Sequence, residues 1–307
     1  MPTEPKQPED YIVSLNINGM DGRMLRLPAR KAKQREILLL YGSHSSIERM
    51  YSIASELNRY GAVTLPDLPG FGGMDSFFKI GRKPNVDSMA DYLAAVIKLR
   101  YGRRHFTIAG VSYGIVVTTR MLQRHPDIAK RVDMVVSIAG FVHHEDFHVP
   151  GWQQNVMKFG SWACKTKWLS RVANVVINGR TVTIVYRLRA RSHSKLKDAD
   201  PVERDRRIAF EVVLWRINDL RTYFYTAYTM FRLNLCDQRV AVPIYHVAIN
   251  DDQFFDNYLV EQHLKIIYKR ARIIKVTLKA HMPTIIATPE EVAPFIPSAI
   301  RRILARS

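Results

Sequence analysis

A serine between two glycines is the pattern in this sequence with the clearest chemical meaning. Gly110-Val111-Ser112-Tyr113-Gly114 joins an apolar run at residues 106–109 to a helical pattern at 114–123. A sharp turn from strand to helix crowds its neighbours, so residues without Cβ are needed on either side of the serine. Such a turn holds a hydroxyl above the carboxyl end of its strand. The pattern therefore predicts a nucleophilic serine at position 112.

Two other patterns could hold a metal or a nucleotide. His144-Glu145-Asp146-Phe147-His148 has the H-E-x-x-H spacing that places two zinc ligands on one face of a helix. Val149-Pro150-Gly151 follows directly and breaks such a helix, so we interpret the segment as a polar hinge loop and predict no metal site. Gly70-Phe71-Gly72-Gly73 lacks the helix and the ribose-binding carboxylate of a dinucleotide fold, and we interpret it as a turn.

The elements that must position the serine alternate between strands and helices. A hairpin over residues 11–28, with turn chemistry from Asn18 to Gly22, precedes this alternation. Alternating elements predict an α/β protein with a mostly parallel central sheet and helices on both faces. The predicted strands lie at 37–40, 62–65, 106–109, 132–138, 244–249 and 273–278, and the predicted helices at 45–60, 87–99, 114–123, 258–269 and from Thr288 onward.

The alternation stops between Gly140 and Val240, where the sequence is aromatic, basic and largely helical in period. We interpret this segment as an inserted, mainly helical cap. Its longest helical stretch starts at Asp200-Pro201 and keeps one apolar stripe as far as Phe231. The predicted organisation is a flexible tail at 1–10, a first core part at 11–140, the cap at 141–236 and a second core part at 237–307.

These motifs together resemble the α/β-hydrolase superfamily. Leu38-Leu39-Leu40-Tyr41-Gly42-Ser43 resembles its oxyanion-loop strand, Asp67-Leu68-Pro69-Gly70-Phe71-Gly72 its turn after the next strand, and Ala280-His281 its terminal histidine loop. The resemblance runs from about Tyr11 to the C-terminus apart from the detail of the cap. It implies the α/β-hydrolase fold. Tyr41 stands where members of the superfamily normally have histidine, and Ile115 where many have a second glycine.

The resemblance implies a catalytic triad in the chain order Ser, Asp, His. We expect His281 to be the base because it follows the last predicted strand. His246 lies inside a predicted strand and His105 precedes one, so neither is well placed.

For the acid of the triad we expect Asp252, which follows the predicted strand at 244–249. Asp251 is the alternative. Asp256 fits better as the N-cap of the next helix. No metal or organic cofactor is needed by such a triad.

The implied reaction is acyl transfer, with the oxyanion held by backbone N–H groups of Ser43 and Tyr113. We expect a serine hydrolase that cleaves carboxylic esters with an apolar acyl or alcohol group. Thioesterase, lactonase, C–C bond hydrolase and aminopeptidase activities use the same triad and stay open. A noncatalytic protein that binds a hydrophobic ligand is the other alternative.

Positive charge is the strongest bias in composition. The chain has 46 Lys+Arg against 28 Asp+Glu, a net charge of +18. Many of the basic residues lie in the cap beside Trp152, Trp162 and Trp168. We interpret them first as a solvated cap surface, and a basic amphipathic helix on an anionic membrane surface is the alternative. A nucleic-acid partner is disfavoured because no recognised motif accompanies the charge.

Composition also limits the class of protein and its compartment. A hydrophobic fraction of 47% excludes a disordered or collagen-like chain. Cys164 and Cys236 are too few for a disulfide framework and indicate a reducing, cytoplasmic location. The first ten residues do not form a secretory signal, and no apolar segment approaches the roughly 18 residues of a spanning helix.

Overall fold

The structure is a computed structural model that describes residues 8–30, 35–188, 196, 199–278 and 289–306. An eight-stranded sheet forms its centre. The strands are β1 (Ile12–Ile17), β2 (Met20–Leu27), β3 (Arg35–Leu40), β4 (Gly61–Pro66), β5 (Phe106–Val111), β6 (Val132–Ile138), β7 (Ile244–Ile249) and β8 (Ala271–Val276).

The strand order in the sheet is β1-β2-β4-β3-β5-β6-β7-β8. β2 pairs antiparallel with β1 and β4, and every other neighbouring pair is parallel. This arrangement confirms the predicted fold class. The helices are α1 (Ile47–Leu57), α2 (Val86–Tyr101), α3 (Tyr113–Arg124), α4 (Pro126–Ala129), α5 (Gly151–Cys164), α6 (Lys167–Val176), α7 (Gly179–Leu188), α8 (Pro201–Ile217), α9 (Leu220–Met230), α10 (Asn257–Ile267), α11 (Pro289–Val292) and α12 (Ser298–Ala305).

The central strands are apolar on both faces, as parallel strands covered by helices must be. All six residues of β5 are buried, and Leu38, Leu39 and Leu40 in β3 have no exposed surface. The hairpin at the sheet edge turns at Asn18 and Gly19, whose φ angles are 53° and 80°. Because this turn has only two residues, β2 starts at Met20, inside the segment from Asn18 to Gly22 that was predicted to form the turn.

Two predicted helices are interrupted. The stretch from Asp200-Pro201 divides into α8 and α9 because the Asp219 carboxylate accepts the Thr222 N–H at 2.7 Å and starts a second helix. At the C-terminus, the helix that opens at Pro289 lasts one turn. Pro294 and Pro297 follow, and the longer helix α12 begins only after them.

Helices α5 to α9 occupy the chain between β6 and β7, where the cap was predicted. The α8–α9 junction contacts the turn after β4: Gly72 N–H donates to Asn218 Oδ1 at 2.8 Å, and Asp219 N–H donates to Gly70 O at 2.8 Å. Within the described part of the chain, no helix has both the length and the apolar character needed to cross a membrane.

Candidate functional site

Ser112 lies in the turn between β5 and α3, in a backbone conformation that non-glycine residues rarely adopt. Its φ is 50° and its ψ is −120°. A Cβ at Gly114 would lie 2.9 Å from the backbone oxygens of Leu40 and Tyr41, and one at Gly110 would lie 2.7 Å from Ile115 Cδ1. Gly114 is therefore required by close packing against the backbone, whereas the contact at Gly110 is with the end of a side chain that can shift.

The loop after β3 passes directly beside Ser112. A Cβ at Gly42 would be 3.1 Å from Ser112 Cβ and 3.5 Å from its Oγ. Ser43 is the next residue, and its buried Oγ has no hydrogen-bond partner among the described residues. Tyr113 is the first residue of α3, so its N–H belongs to the positive end of that helix. These positions suit two donors to an oxyanion at Ser112.

Tyr41 is the buried residue that holds the end of β3 in place. Its hydroxyl donates to Asp67 Oδ1 at 2.8 Å and accepts the Leu68 N–H at 2.7 Å. Asp67 also accepts from Arg23 Nε at 2.8 Å. Burial raises the pKa of the Asp67 carboxyl to about 7, while the Arg23 charge opposes that rise. Tyr41, which replaces the usual histidine, therefore supports the loop, and its own buried hydroxyl is hydrogen-bonded.

The three candidate acids after β7 have different surroundings. Asp252 is buried, and its Oδ1 accepts the Phe254 N–H at 2.8 Å. Asp251 is exposed and has a φ of 56°. Asp256 caps α10 by accepting the N–H groups of Tyr258 and Leu259, in the role predicted for it.

His281, the predicted base, lies outside the described residues. His246 and His105, which the sequence placed poorly for a catalytic base, are also unsuited to that role in the structure. His246 is buried in β7, where desolvation lowers its pKa to about 4. His105 is largely exposed and pairs with Asp133 at 3.0 Å. The catalytic assignments of Ser112, Asp252 and His281 stay predictions.

Ser112 lines a cavity of about 590 Å³ between the carboxyl edge of the sheet and the cap. Loops after β3, β5, β6 and β7 contribute to its wall, and so do α5, α8 and α9. The lining is mainly apolar, which suits a hydrophobic group. Its apolar and aromatic members are Phe141, Phe147, Met157, Tyr223, Phe224, Ala227, Met230, Phe231, Phe254 and Phe255.

The polar residues of this cavity were not predicted from the sequence. His44 packs on Trp215 with ring centroids 4.1 Å apart. Arg49 of α1 forms a buried ion pair with Glu211 of α8, and Tyr186 OH donates to the same carboxylate at 3.3 Å. Only His44 had a sequence signal, because it follows the predicted oxyanion residue Ser43.

One cluster has the composition of a metal site. His143, His144 and Glu145 each offer a ligand atom within 4.8 Å of the others. The H-E-x-x-H spacing does not produce this cluster, because His144–Asp146 form a single 3₁₀ turn rather than an α-helix. His148 lies beyond that turn, where its N–H donates to Phe254 O at 2.8 Å.

Comparisons with known proteins agree with this architecture. A membrane phospholipase A described as a bacterial virulence factor is similar in structure, with a TM-score of 0.67, 14% identity and coverage of 96% of this chain and 87% of the other. A thermophilic esterase from Thermogutta terrifontis has a TM-score of 0.65 and 14% identity, with coverage of 95% and 97%. The enol-lactonase from Burkholderia xenovorans LB400 has a TM-score of 0.59 and 12% identity, with coverage of 86% and 91%.

At these identities the structural similarity establishes the fold alone. A search of curated protein sequences found no significant match. The sequence matches the profile of the alpha/beta hydrolase fold over residues 37–267. That match covers most of the chain, including the strand–serine–helix turn and both flanks of the cap, and it shows that this chain belongs to the α/β-hydrolase family.

Proposed function

We propose that this protein is a serine hydrolase that cleaves carboxylic esters with an apolar acyl or alcohol group. The observation that carries the proposal is the position of Ser112, held in a strained turn on the wall of a mainly apolar cavity. Backbone strain at a serine in the turn after a central strand is typical of an activated nucleophile on this fold. The esterase and lactonase among the similar structures are consistent with acyl chemistry.

The proposed mechanism proceeds through an acyl-enzyme. Ser112 Oγ attacks the ester carbonyl carbon while His281 accepts the hydroxyl proton, and Asp252 orients the imidazole. The C–O bond to the alcohol then breaks, and the alcohol leaves with the proton from His281. Water hydrolyses the acyl-enzyme by the same steps. The N–H groups of Tyr113 and Ser43 stabilise the oxyanion, at about 3 kcal/mol per donor.

Fluorophosphonate labelling with hydrolysis of p-nitrophenyl esters of increasing acyl length tests this proposal. We expect Ser112→Ala to abolish labelling and to reduce kcat by at least about 1000-fold, because the nucleophile is lost. Ser14→Ala is the matched control, since Ser14 is an exposed serine on β1 far along the sheet from Ser112. A cavity of about 590 Å³ favours an optimum at a medium or long acyl chain.

Asp252→Asn and Asp251→Asn separate the two candidate acids. Loss of the orienting carboxylate lowers kcat by up to about 10,000-fold in comparable triads. We expect that loss for Asp252→Asn and nearly unchanged activity for Asp251→Asn. Labelling that persists in Ser112→Ala, or a folded wild type that neither labels nor turns over any acyl substrate, would overturn the proposal and favour the noncatalytic binder.

We also propose that the cap contacts an anionic membrane surface. The face concerned, here called the cap face, consists of the outward side of α5, α6 and α7. Residues 151–188 contain six Lys or Arg and no Asp or Glu. Large apolar side chains stand among these charges: Trp168 is 76% exposed, Val175 74% and Leu188 80%.

Apolar groups flanked by cations match the chemistry of an anionic bilayer surface, where rings and aliphatic chains enter the interface and Lys and Arg contact phosphate. A solvated protein surface has no need of so many exposed large apolar residues on adjacent helices. The membrane phospholipase A among the similar structures is a further reason to test this contact. We propose the membrane surface as the place where the hydrolase cleaves its substrate. Membrane binding and ester hydrolysis are tested by separate measurements, so either proposal can be wrong without the other.

Sedimentation with phosphatidylcholine vesicles, with and without phosphatidylserine, tests the membrane contact. We expect binding only with the anionic lipid and a loss of at least about tenfold for Trp168→Glu, which places a charge in the interface. Raising the salt concentration should weaken binding through screening. Val202→Glu is the matched control, because Val202 is 80% exposed on α8, outside the cap face.

Either of two results would overturn the membrane contact. The first is equal binding by both glutamate variants. The second is concentration-dependent self-association without vesicle binding, which would identify a second copy of the chain as the occupant of the cap face. Hydrolysis of a short soluble ester should be the same in wild type and Trp168→Glu, so failure of this proposal is distinguishable from failure of the hydrolase proposal.

A further inference from the structure

Four side chains with metal-ligand chemistry meet outside the Ser112 cavity, where the segment after β6 packs on α10. The ring centroids of His143 and His144 are 4.3 Å apart, and those of His143 and His263 are also 4.3 Å apart. Glu145 Oε2 lies 3.6 Å from His143 Nδ1 and 3.9 Å from His263 Nε2. The cluster thus brings together three consecutive residues and one residue more than a hundred positions away.

His263 is held in an orientation that leaves one ring nitrogen available. Its Nδ1 lies 2.6 Å from Oδ1 of Asp146, a carboxylate with no exposed surface. The other oxygen of Asp146 accepts the N–H groups of Val142 and His143 at 2.8 and 2.9 Å. This contact fixes the orientation of the His263 ring, and Nε2 lies on the side of Glu145, 3.9 Å from its Oε2. Metal-binding histidines commonly have this carboxylate partner.

His144 is oriented in the same manner by a backbone group. Its Nδ1 lies 3.0 Å from the carbonyl oxygen of Leu233. A carbonyl oxygen cannot donate, so Nδ1 is the donor and Nε2 is the ring nitrogen that can face a ligand. His143, His144 and Glu145 each offer a ligand atom, and these atoms lie within 4.8 Å of one another.

A divalent cation placed among His143, His144 and Glu145 would contact all three side chains at once.

We propose that His143, His144 and Glu145, with His263 beside Glu145 as a fourth candidate ligand, bind a divalent transition-metal ion of the zinc type. Imidazole nitrogens with one carboxylate suit Zn²⁺, Co²⁺ or Ni²⁺, whereas Mg²⁺ and Ca²⁺ require mainly oxygen ligands. The bound ion would join the segment after β6 to α10. The inference does not depend on the proposed hydrolase function, because these residues do not line the Ser112 cavity and the triad uses no metal.

Calorimetric titration of chelator-treated protein with Zn²⁺, together with the absorption spectrum of the Co²⁺ form, tests the site. We expect one equivalent to bind and to raise the midpoint of thermal unfolding, because the ion binds only the folded arrangement. Mg²⁺ should have no such effect. His263→Gln and His144→Gln should each weaken Zn²⁺ binding at least about tenfold, as loss of a ligand or its support does in other sites.

His105→Gln is the matched control, because it removes an exposed histidine that pairs with Asp133 and lies outside the cluster, so Zn²⁺ affinity should be unchanged. Two independent ligand variants are used so that poor folding of either one does not decide the result. The proposal is overturned if folded wild type binds no stoichiometric Zn²⁺, or if affinity is the same in wild type and in both ligand variants.

Discussion

His246 lies within β7, where the sheet buries its imidazole and the Ser137 hydroxyl lies 2.8 Å from Nδ1. Burial penalises the charged form and lowers its pKa to about 4. A histidine fixed in this way cannot reach a substrate, and its chemistry is that of a neutral core residue. Ser112, in contrast, can contact a substrate, because its strained turn holds the hydroxyl at the cavity wall.

This depressed pKa makes His246 a source of acid sensitivity. Between pH 6.5 and about 4 the unfolded chain binds a proton at this residue and the folded protein does not, so the free energy of unfolding falls as pH falls. Because the pKa falls from 6.5 to about 4, we expect the free energy of unfolding to decrease by about 2 to 3 kcal/mol over that interval. His246→Gln retains a partner for Ser137 and should remove this part of the pH dependence.

Chemical unfolding of wild type and His246→Gln at pH 7.5 and pH 4.5 measures the difference. The other titrating groups are common to both proteins, so their contributions cancel in the comparison. An equal loss of stability in both proteins would show that His246 is not responsible for the effect.

Helix α1 of the core and helix α8 of the cap are joined by the buried ion pair of Arg49 and Glu211. Their side chains are 5% and 8% exposed, and Tyr186 donates to the same carboxylate. Arg49 also lies over the ring of Phe210, with its guanidinium carbon 5.2 Å from the ring centroid. This pair therefore couples the position of the cap to the loop that precedes α1.

Replacing one partner of this pair should lower the free energy of unfolding more than replacing both partners. Glu211→Ala leaves a buried guanidinium without its counter-charge, and we expect a loss of about 3 to 5 kcal/mol in the free energy of unfolding. The double variant Arg49→Leu/Glu211→Leu replaces both charges with apolar groups and should recover most of that loss. Urea unfolding measures both variants.

Glu261→Ala provides the comparison with an exposed pair, since Glu261 and Lys265 lie on the solvent side of α10. We expect it to cost less than about 1 kcal/mol. A double variant as unstable as Glu211→Ala would contradict the interpretation of Arg49 and Glu211 as a mutually dependent pair.

At the scale of the whole molecule, the sheet and the cap form different parts of the Ser112 cavity. Parallel strands bring loops from distant parts of the chain to one edge of the sheet, where Ser112 and the segment after Asp252 meet. The cap closes the cavity above that edge with α5, α8 and α9. Its outward helices concentrate the basic and apolar surface that we propose for membrane contact.

The elements of the sheet could be predicted from the sequence with errors of a few residues, because a buried parallel strand requires an uninterrupted apolar run. The Ser112 turn could be predicted for a similar reason, because a sharp strand-to-helix turn needs small residues close to the serine in sequence. The break between α8 and α9 could not be predicted. Asn218 interacts there with Gly72, and a partner 146 positions away leaves no local pattern.

The sequence by itself determined the order of strands and helices, the strained serine and the basic character of the cap, because these depend on neighbouring residues and on composition. Only the tertiary structure decided which polar groups meet. Arg49 with Glu211, and His143 with His263, are ordinary helix or loop residues in the sequence. They become a buried ion pair and part of a proposed metal site because folding brings distant segments of the chain together.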